Sequence, residues 1–274
     1  MTTICIPTPV HVECEAKFVL SAEQYAAFLA AGELLGETFG CEIVERQHNR
    51  YYDTTTGALE KANSRLRARR IDGHAGVTWT FKGRRLPVSG LTRSRPEYEA
   101  WADNTFEPHQ AAWENQPVRF ARGLADGPLL PLNEHCTERV IRHLWPIDAD
   151  GLVEVAIDKV TIPDHLEFVR YELELEDKGI GRRGLERLAL CVQQAYGLTA
   201  AVKGKQGAVL SYLRNEAIRR EAESVAAQTF AAGRITRTQK PTARPMLPVI
   251  RPTYTIGRRI ETGITTRLRR ASYP

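Results

Sequence analysis

The chain has 274 residues, 42% of them hydrophobic and 26% charged, with a net charge of +5, which fits a soluble globular protein of one large domain or two small ones. No apolar run approaches the roughly 18 residues of a membrane span, and Met1 to Val10 lacks the pattern of a secretory signal. Five scattered cysteines (Cys5, Cys14, Cys41, Cys136 and Cys191) offer neither a disulfide framework nor a zinc site, so a cytoplasmic, reducing setting is expected.

In chain order, Glu13-Cys14-Glu15-Ala16-Lys17 opens a strand, with Glu13, Glu15 and Lys17 on one face and Val12, Cys14 and Ala16 on the other. Ser21-Ala22-Glu23-Gln24 is a capping-box signal. Tyr25, Phe28, Leu29 and Leu35 follow at helical spacing, with Gly36 as the stop. Arg65, Arg67 and Arg69 share a strand face opposite Leu66 and Ala68, and Thr78, Thr80 and Lys82 share one opposite Val77, Trp79 and Phe81. Asp72-Gly73 between these runs predicts an antiparallel hairpin. Arg95, Glu97 and Glu99 alternate with Pro96 and Tyr98.

The stretch from Asn104 to Glu134, with Pro108, Pro117, Pro128 and Pro131, is weakly periodic and reads as a long connection with room for one short helix. Asp150-Gly151 marks a second hairpin, between 140–147 and 152–160, with Glu154 and Asp158 on one face. Glu172, Glu174 and Glu176 alternate with Tyr171, Leu173 and Leu175, and a helix over 185–196 stops at Gly197. From Asn215 to Pro274 twelve Arg/Lys stand against four Glu, leaving 26 basic and 29 acidic residues in 1–214. The protein is thus a mildly acidic body with a basic tail, which from about Ala222 is proline-interrupted, weakly periodic and expected to be mostly disordered.

Charged faces recur strand after strand, sorted by sign. A closed antiparallel barrel gives every strand an inward face and removes its edges, so the pattern predicts a polar lumen. Burying that much charge without a ligand would be costly. Clustered carboxylates suit hard divalent cations such as Mg²⁺ or Mn²⁺. Converging Arg and Lys suit phosphate oxygens. Together they suggest a metal–polyphosphate complex and phosphoryl transfer.

These residues resemble the CYTH domain, or triphosphate tunnel metalloenzymes, whose Glu-x-Glu-x-Lys signature matches Glu13, Glu15 and Lys17. Arg-Tyr-Tyr-Asp-Thr (50–54), Leu-Arg-Ala-Arg (66–69), Thr-Phe-Lys-Gly (80–83) and Arg-Pro-Glu-Tyr-Glu (95–99) follow in family order. So do Glu-Val-Ala-Ile-Asp (154–158), Glu-Leu-Glu-Leu-Glu (172–176) and Lys-Gly-Lys (203–205). The resemblance implies an α+β, mainly β fold: an eight-stranded antiparallel closed tunnel with helices outside, over 1–214, followed by the tail 215–274. It implies Glu13, Glu15, Glu172, Glu174 and Glu176 as metal-side residues, with Mg²⁺ or Mn²⁺ as cofactor. Lys17, Arg67, Arg69, Lys82, Arg95 and Lys205 would hold phosphate oxygens. Glu13, Glu15, Lys17, Glu97, Glu99 and Asp158 form the implied catalytic set, one of whose acids orients or deprotonates water. A further basic strand offers Arg139 or Arg142, on opposite faces, and the terminal lysine is Lys203 or Lys205, which share a face of the last strand.

The implied activity is hydrolysis of inorganic triphosphate or a small organic triphosphate. The same residues could cyclise ATP, and the basic tail could hold nucleic acid in an RNA 5′-triphosphatase. A non-catalytic polyphosphate- or nucleotide-binding module is the remaining alternative, though anion binding alone would not require so many carboxylates. His48, His74, His109, His135 and His143 have no metal-ligand spacing and read as surface or packing residues, as do Cys14, Tyr51 and Tyr52.

Overall fold

The computed structural model describes residues 11–87, 90–103, 105–111, 114–146 and 150–236. Eight strands carry the architecture: β1 His11–Leu20, β2 Glu42–Asp53, β3 Arg65–Ile71, β4 Val77–Lys82, β5 Thr92–Ala102, β6 Leu130–Leu144, β7 Leu152–Ile162 and β8 His165–Lys178. They pair antiparallel in the order β1-β5-β4-β3-β2-β6-β7-β8, and β8 returns to β1, closing the expected barrel. Thr199–Ala200 adds a two-residue pairing to β1 outside the ring. Both hairpins predicted at Asp72-Gly73 and Asp150-Gly151 form.

Because side chains alternate, each strand turns its apolar positions outward, where helices cover them. Helices α1 (Ala22–Ala30) and α4 (Gly181–Tyr196) pack Phe28, Leu185, Ala189 and Val192 against Cys14, Phe18, Ile157, Leu173 and Leu175. Helices α2 (Ala58–Lys61) and α3 (Gln116–Leu124) bring Leu59, Val118 and Ala121 to Tyr52, Leu66, Val77 and Trp79. Val209 of α5 (Lys205–Thr236) covers Val160 and Ile162. Full burial of a side chain such as Leu173 or Ile157 contributes about 1.5–3 kcal/mol before entropy is subtracted. The capping box at Ser21 is present, and Gly197 ends α4 in the left-handed region, as the sequence predicts.

Four elements depart from expectation. Helix α1 stops at Ala30, and Leu35 and Gly36, both at positive φ, instead turn a two-residue hairpin between Glu33–Leu34 and Glu37–Thr38. Strand β6 begins at Leu130, inside the stretch expected as a connection. Pro131 sits where its register against β2 shifts between Tyr51 and Tyr52, so the proline occupies a bulge that spares the ladder. Lys205 opens helix α5 rather than lying on a last strand, so it shares no strand face with Lys203. That helix runs to Thr236, past the Asn215 boundary of the expected tail, and residues 237–274 lie outside those described. The described residues up to Glu221 form one compact unit, and a second begins at Ala222.

Arg142, one of two candidates for a phosphate-binding arginine, faces outward. Its guanidinium donates to the carbonyls of Phe28 (2.9 Å), Leu29 (2.7 Å) and Ala31 (2.7 Å), the last turn of α1, and to Glu42 (2.7 Å). A cation at a helix C-terminus satisfies carbonyls that have no partner within the helix. Arg142→Met is therefore expected to cost about 2–4 kcal/mol of stability in urea unfolding, since one buried and two partly buried carbonyls lose a charged donor. Triphosphate binding should be unchanged; a binding defect at unchanged stability would return Arg142 to the site.

Candidate active site

The inward faces enclose a cavity of about 430 Å³. Eleven Lys/Arg and eight Glu line it, a surplus of positive charge that favours a polyanion. From the expected set, Glu13, Glu15, Lys17, Arg67, Arg69, Lys82, Arg95, Glu97, Glu99, Arg139, Glu174, Glu176 and Lys205 reach it. Asp158 and Glu172 lie fully buried just behind the lining. Arg142 does not reach it, nor does Lys203, whose ammonium donates to Ser211 Oγ (2.6 Å).

Two groups of ion pairs organise the wall. In the first, Lys17 bridges Glu15 (2.7 Å) and Glu174 (2.6 Å), and Arg139 grips Asp158 through two bonds of 2.8 Å while reaching Glu174 (2.5 Å). Lys205 joins the same Asp158 (2.7 Å) and Glu174 (2.5 Å). In the second, Lys82 holds Glu13 (2.7 Å) and Glu97 (3.1 Å), and Thr80 accepts from Arg67 (3.0 Å) and donates to Glu99 (2.8 Å). The registers of β8 on β1 and of β7 on β6 impose these meetings, setting Lys17 opposite Glu174 and Arg139 opposite Asp158. Burial alone would raise the carboxylate pKa values, but Lys82 draws Glu13 below the ordinary range, and Lys17 with Lys205 and Arg139 does the same for Glu174. Burial would lower the Lys17 pKa, yet Glu15 and Glu174 hold it above its usual value.

Among the described residues, Arg65, Arg69, Arg85, Arg93 and Arg95 make no ion pair with a carboxylate; Arg69 bonds Asn49 (3.0 Å) and Arg93 the Ala201 carbonyl. Burial, then Arg67 and Arg139, pushes the Arg69 pKa down to about 9; burial, then Arg95, Arg93 and Arg65, pushes that of Arg85 to about 10. Both guanidiniums stay charged at neutral pH, and the shifts register their burial together with neighbouring positive charge that Glu99 and Glu15 offset only in part. The Tyr51 hydroxyl senses the same field: against burial, Arg67 and Arg69 lower its pKa.

The opposite deficit occurs at Glu176. Burial raises its pKa to about 7 despite Lys178, with the Glu13 and Glu154 carboxylates adding to the rise. Glu15 stands opposite Glu176 across the β1–β8 seam, and Glu13, Glu15, Glu174 and Glu176 all line the cavity. This oxygen-only donor set, short of positive charge at Glu176, fits a hard divalent cation in kind. Among the described residues, no three acidic, His or Cys side chains already converge on one point, and Lys17 stands between Glu15 and Glu174.

Several lining residues were missed. Arg65 belongs to the face recognised on β3 but was left out of the phosphate set, Arg93 extends the face recognised on β5, and Arg85 lies beyond β4, where no strand period points to it. Tyr51 and His135 face the lumen and stack on each other (ring centroids 5.5 Å apart), whereas Tyr52 packs outward on Trp79 as expected. His135 is almost fully buried, its Nδ1 has no partner, and burial followed by Lys205 and Arg67 lowers its pKa to about 3. The folded pKa lies below the unfolded one, so between about pH 6.5 and pH 3 only the unfolded chain binds this proton. Stability from this residue is therefore intact above about pH 6.5 and falls with acidification by about 1.4 kcal/mol per pH unit. His135→Gln should flatten the pH dependence of urea unfolding between pH 6.5 and pH 4; an unchanged slope would show that His135 is not buried in its neutral form.

None of the curated proteins matches the chain. Among solved structures, a candidate adenylyl cyclase from Hippeastrum, HpAC1, with a dominant triphosphatase activity, shares 20% identity at a TM-score of 0.52. The match covers 73% of this chain and 95% of that one. A candidate adenylate cyclase from Bacillus halodurans also shares 20% identity, at a TM-score of 0.50, over 72% of this chain and 96% of that one. At this identity the likeness establishes the fold. The model of the CYTH domain matches residues 11–201, most of the chain and every barrel strand. The chain therefore belongs to the CYTH family.

Proposed function

We propose that this protein is a metal-dependent triphosphatase that hydrolyses inorganic triphosphate or a small organic triphosphate inside the tunnel. The observation that carries this reading is the set of lumen arginines without carboxylate ion pairs in the same cavity as a cluster of carboxylates, of which Glu176 is held poorly ionised. Arg67, Arg69, Lys82, Arg95, Arg139 and Lys205, with Lys17, would hold the phosphate chain, Arg in bidentate fashion where geometry allows. Family chemistry depends in general on a divalent cation, and Glu13, Glu15, Glu174 and Glu176 are the residues that would hold it, with Mg²⁺ or Mn²⁺ as the expected ions. When bound, the cation supplies neutralisation of charge on phosphate oxygens.

The remaining roles follow from contacts. Charge in phosphoryl transfer spreads over the equatorial oxygens of the moving group, and guanidiniums fixed in advance stabilise it without reorganisation. Asp158 is fully buried and gripped by Arg139 and Lys205, so it acts as a positioning residue for both rather than as a base. Accepting the proton of the attacking water falls to a lining acid, Glu97 or Glu99 on β5, with Glu99 the more open to solvent. Glu172 is taken up by Arg170 (2.5 Å) and lies behind the metal-side residues.

Incubation with Mg²⁺ or Mn²⁺ and triphosphate should release orthophosphate, and chelation should abolish the release. With ATP, formation of cyclic AMP and pyrophosphate would overturn hydrolysis in favour of cyclisation. Glu15→Gln and Arg69→Ala should each lower kcat by about 10²–10³-fold, the usual cost of one pre-placed electrostatic group. Triphosphate binding without turnover in parent and Glu15→Gln alike would instead identify a non-catalytic module.

A further inference from the structure

Outside the tunnel, β2 and β6 place a second set of reactive side chains together. His48 stands directly opposite Cys136 in the β2–β6 register, on the outward face, while their neighbours Asn49 and His135 turn inward. The Cys136 thiol lies 3.6 Å from His48 Nδ1, and His48 Nε2 lies 2.8 Å from Asp72 Oδ1 in the β3–β4 turn. The Asp72 backbone N–H donates to the Arg46 carbonyl (3.0 Å), fixing that turn against β2. With Nε2–H donating to the carboxylate, Nδ1 is left as the acceptor facing the thiol, the tautomer a general base requires.

A separate cavity of about 130 Å³ opens on this group, with Arg50, Arg70 and Phe106 in its wall. Both guanidiniums lie over the Phe106 ring, at 5.0 and 5.3 Å from its centroid. Arg50 is engaged by Glu134 (2.7 Å), whereas Arg70 makes no ion pair with a carboxylate among the described residues. The cavity thus combines a thiol, its base and an arginine able to take an external carboxylate.

We propose that Cys136, His48 and Asp72 form a thiol-exchange site on the outer barrel wall, serving a small disulfide that bears carboxylates. The Cys136 sulfur attacks one sulfur of the disulfide R–S–S–R, forming a new S–S bond as the old one breaks. The thiol proton passes to His48 Nδ1 and from there to the departing sulfur, so the products are the mixed disulfide on Cys136 and R–SH. The cysteine sulfur is oxidised and the departing sulfur reduced, with no further reactant. Burial raises the Cys136 pKa, keeping it a thiol at neutral pH, which is why a base in contact matters. His48 is that base, Asp72 positions it, and Arg70 receives the carboxylate.

The test is mixed-disulfide formation with glutathione disulfide on the full chain, resolved by cysteine with mass spectrometry after acid quench. Cys191, exposed on α4, serves as the internal control. Cys136, though less exposed, should react at least as fast as Cys191. His48→Ala should slow Cys136 by tenfold or more and leave Cys191 unchanged. Asp72→Asn should slow it several-fold, with Asp72→Glu recovering part of the rate. Partial unfolding would accelerate every cysteine, so a selective loss cannot arise from it. Reaction at Cys136 slower than at Cys191 in the parent, or undiminished in His48→Ala, would overturn the proposal.

Discussion

Closure of β8 onto β1 is the constraint on which the rest of the structure depends. An open sheet could leave one face to water; a ring gives every strand an inside, and alternation then commits alternate residues to it. At the seam, Lys17 meets Glu174 and Glu15 meets Glu176. Such a lumen is tolerable only if charges pair, and most carboxylates here do, through Lys17, Lys82, Arg139 and Lys205. Truncating one partner of such a pair leaves the other buried and unpaired, an expensive outcome.

What stays unpaired is informative for the same reason. Arg69 and Arg85 carry positive charge that Glu99 and Glu15 relieve only in part, while Glu176 carries negative charge that Lys178 does not fully offset. These imbalances of opposite sign lie in one cavity and would be relieved together by a polyanion accompanied by a cation. Function and residual strain thus have one electrostatic origin.

Most inward faces were legible in the sequence because period-two charge is a strong signal when it repeats in six segments. Turn chemistry at Asp72-Gly73 and Asp150-Gly151 supplied the hairpins. Other features depended on pairing that no single segment contains. Arg139 and Arg142 looked equivalent until β7 set Asp158 opposite the first and α1 presented its last carbonyls to the second. Pro131 hid the start of β6, and with it the inward positions of Asn133 and His135. Lys205 looked like a strand residue because Lys-Gly-Lys carries no helical period, yet the chain enters α5 at that point.

The central claim is that the lumen is electrostatically incomplete until a chain of phosphates enters it. Thermal unfolding of the full-length protein with triphosphate or orthophosphate, at matched ionic strength and with divalent metal present, tests this most directly. A ligand at a hundredfold excess over its Kd adds about 2.7 kcal/mol, so triphosphate should raise Tm by about 5–10 °C for a domain of this size. Orthophosphate should do far less, and an Arg69→Ala/Arg95→Ala variant should lose the triphosphate effect. Equal shifts with both anions, or an undiminished shift in that variant, would contradict the account.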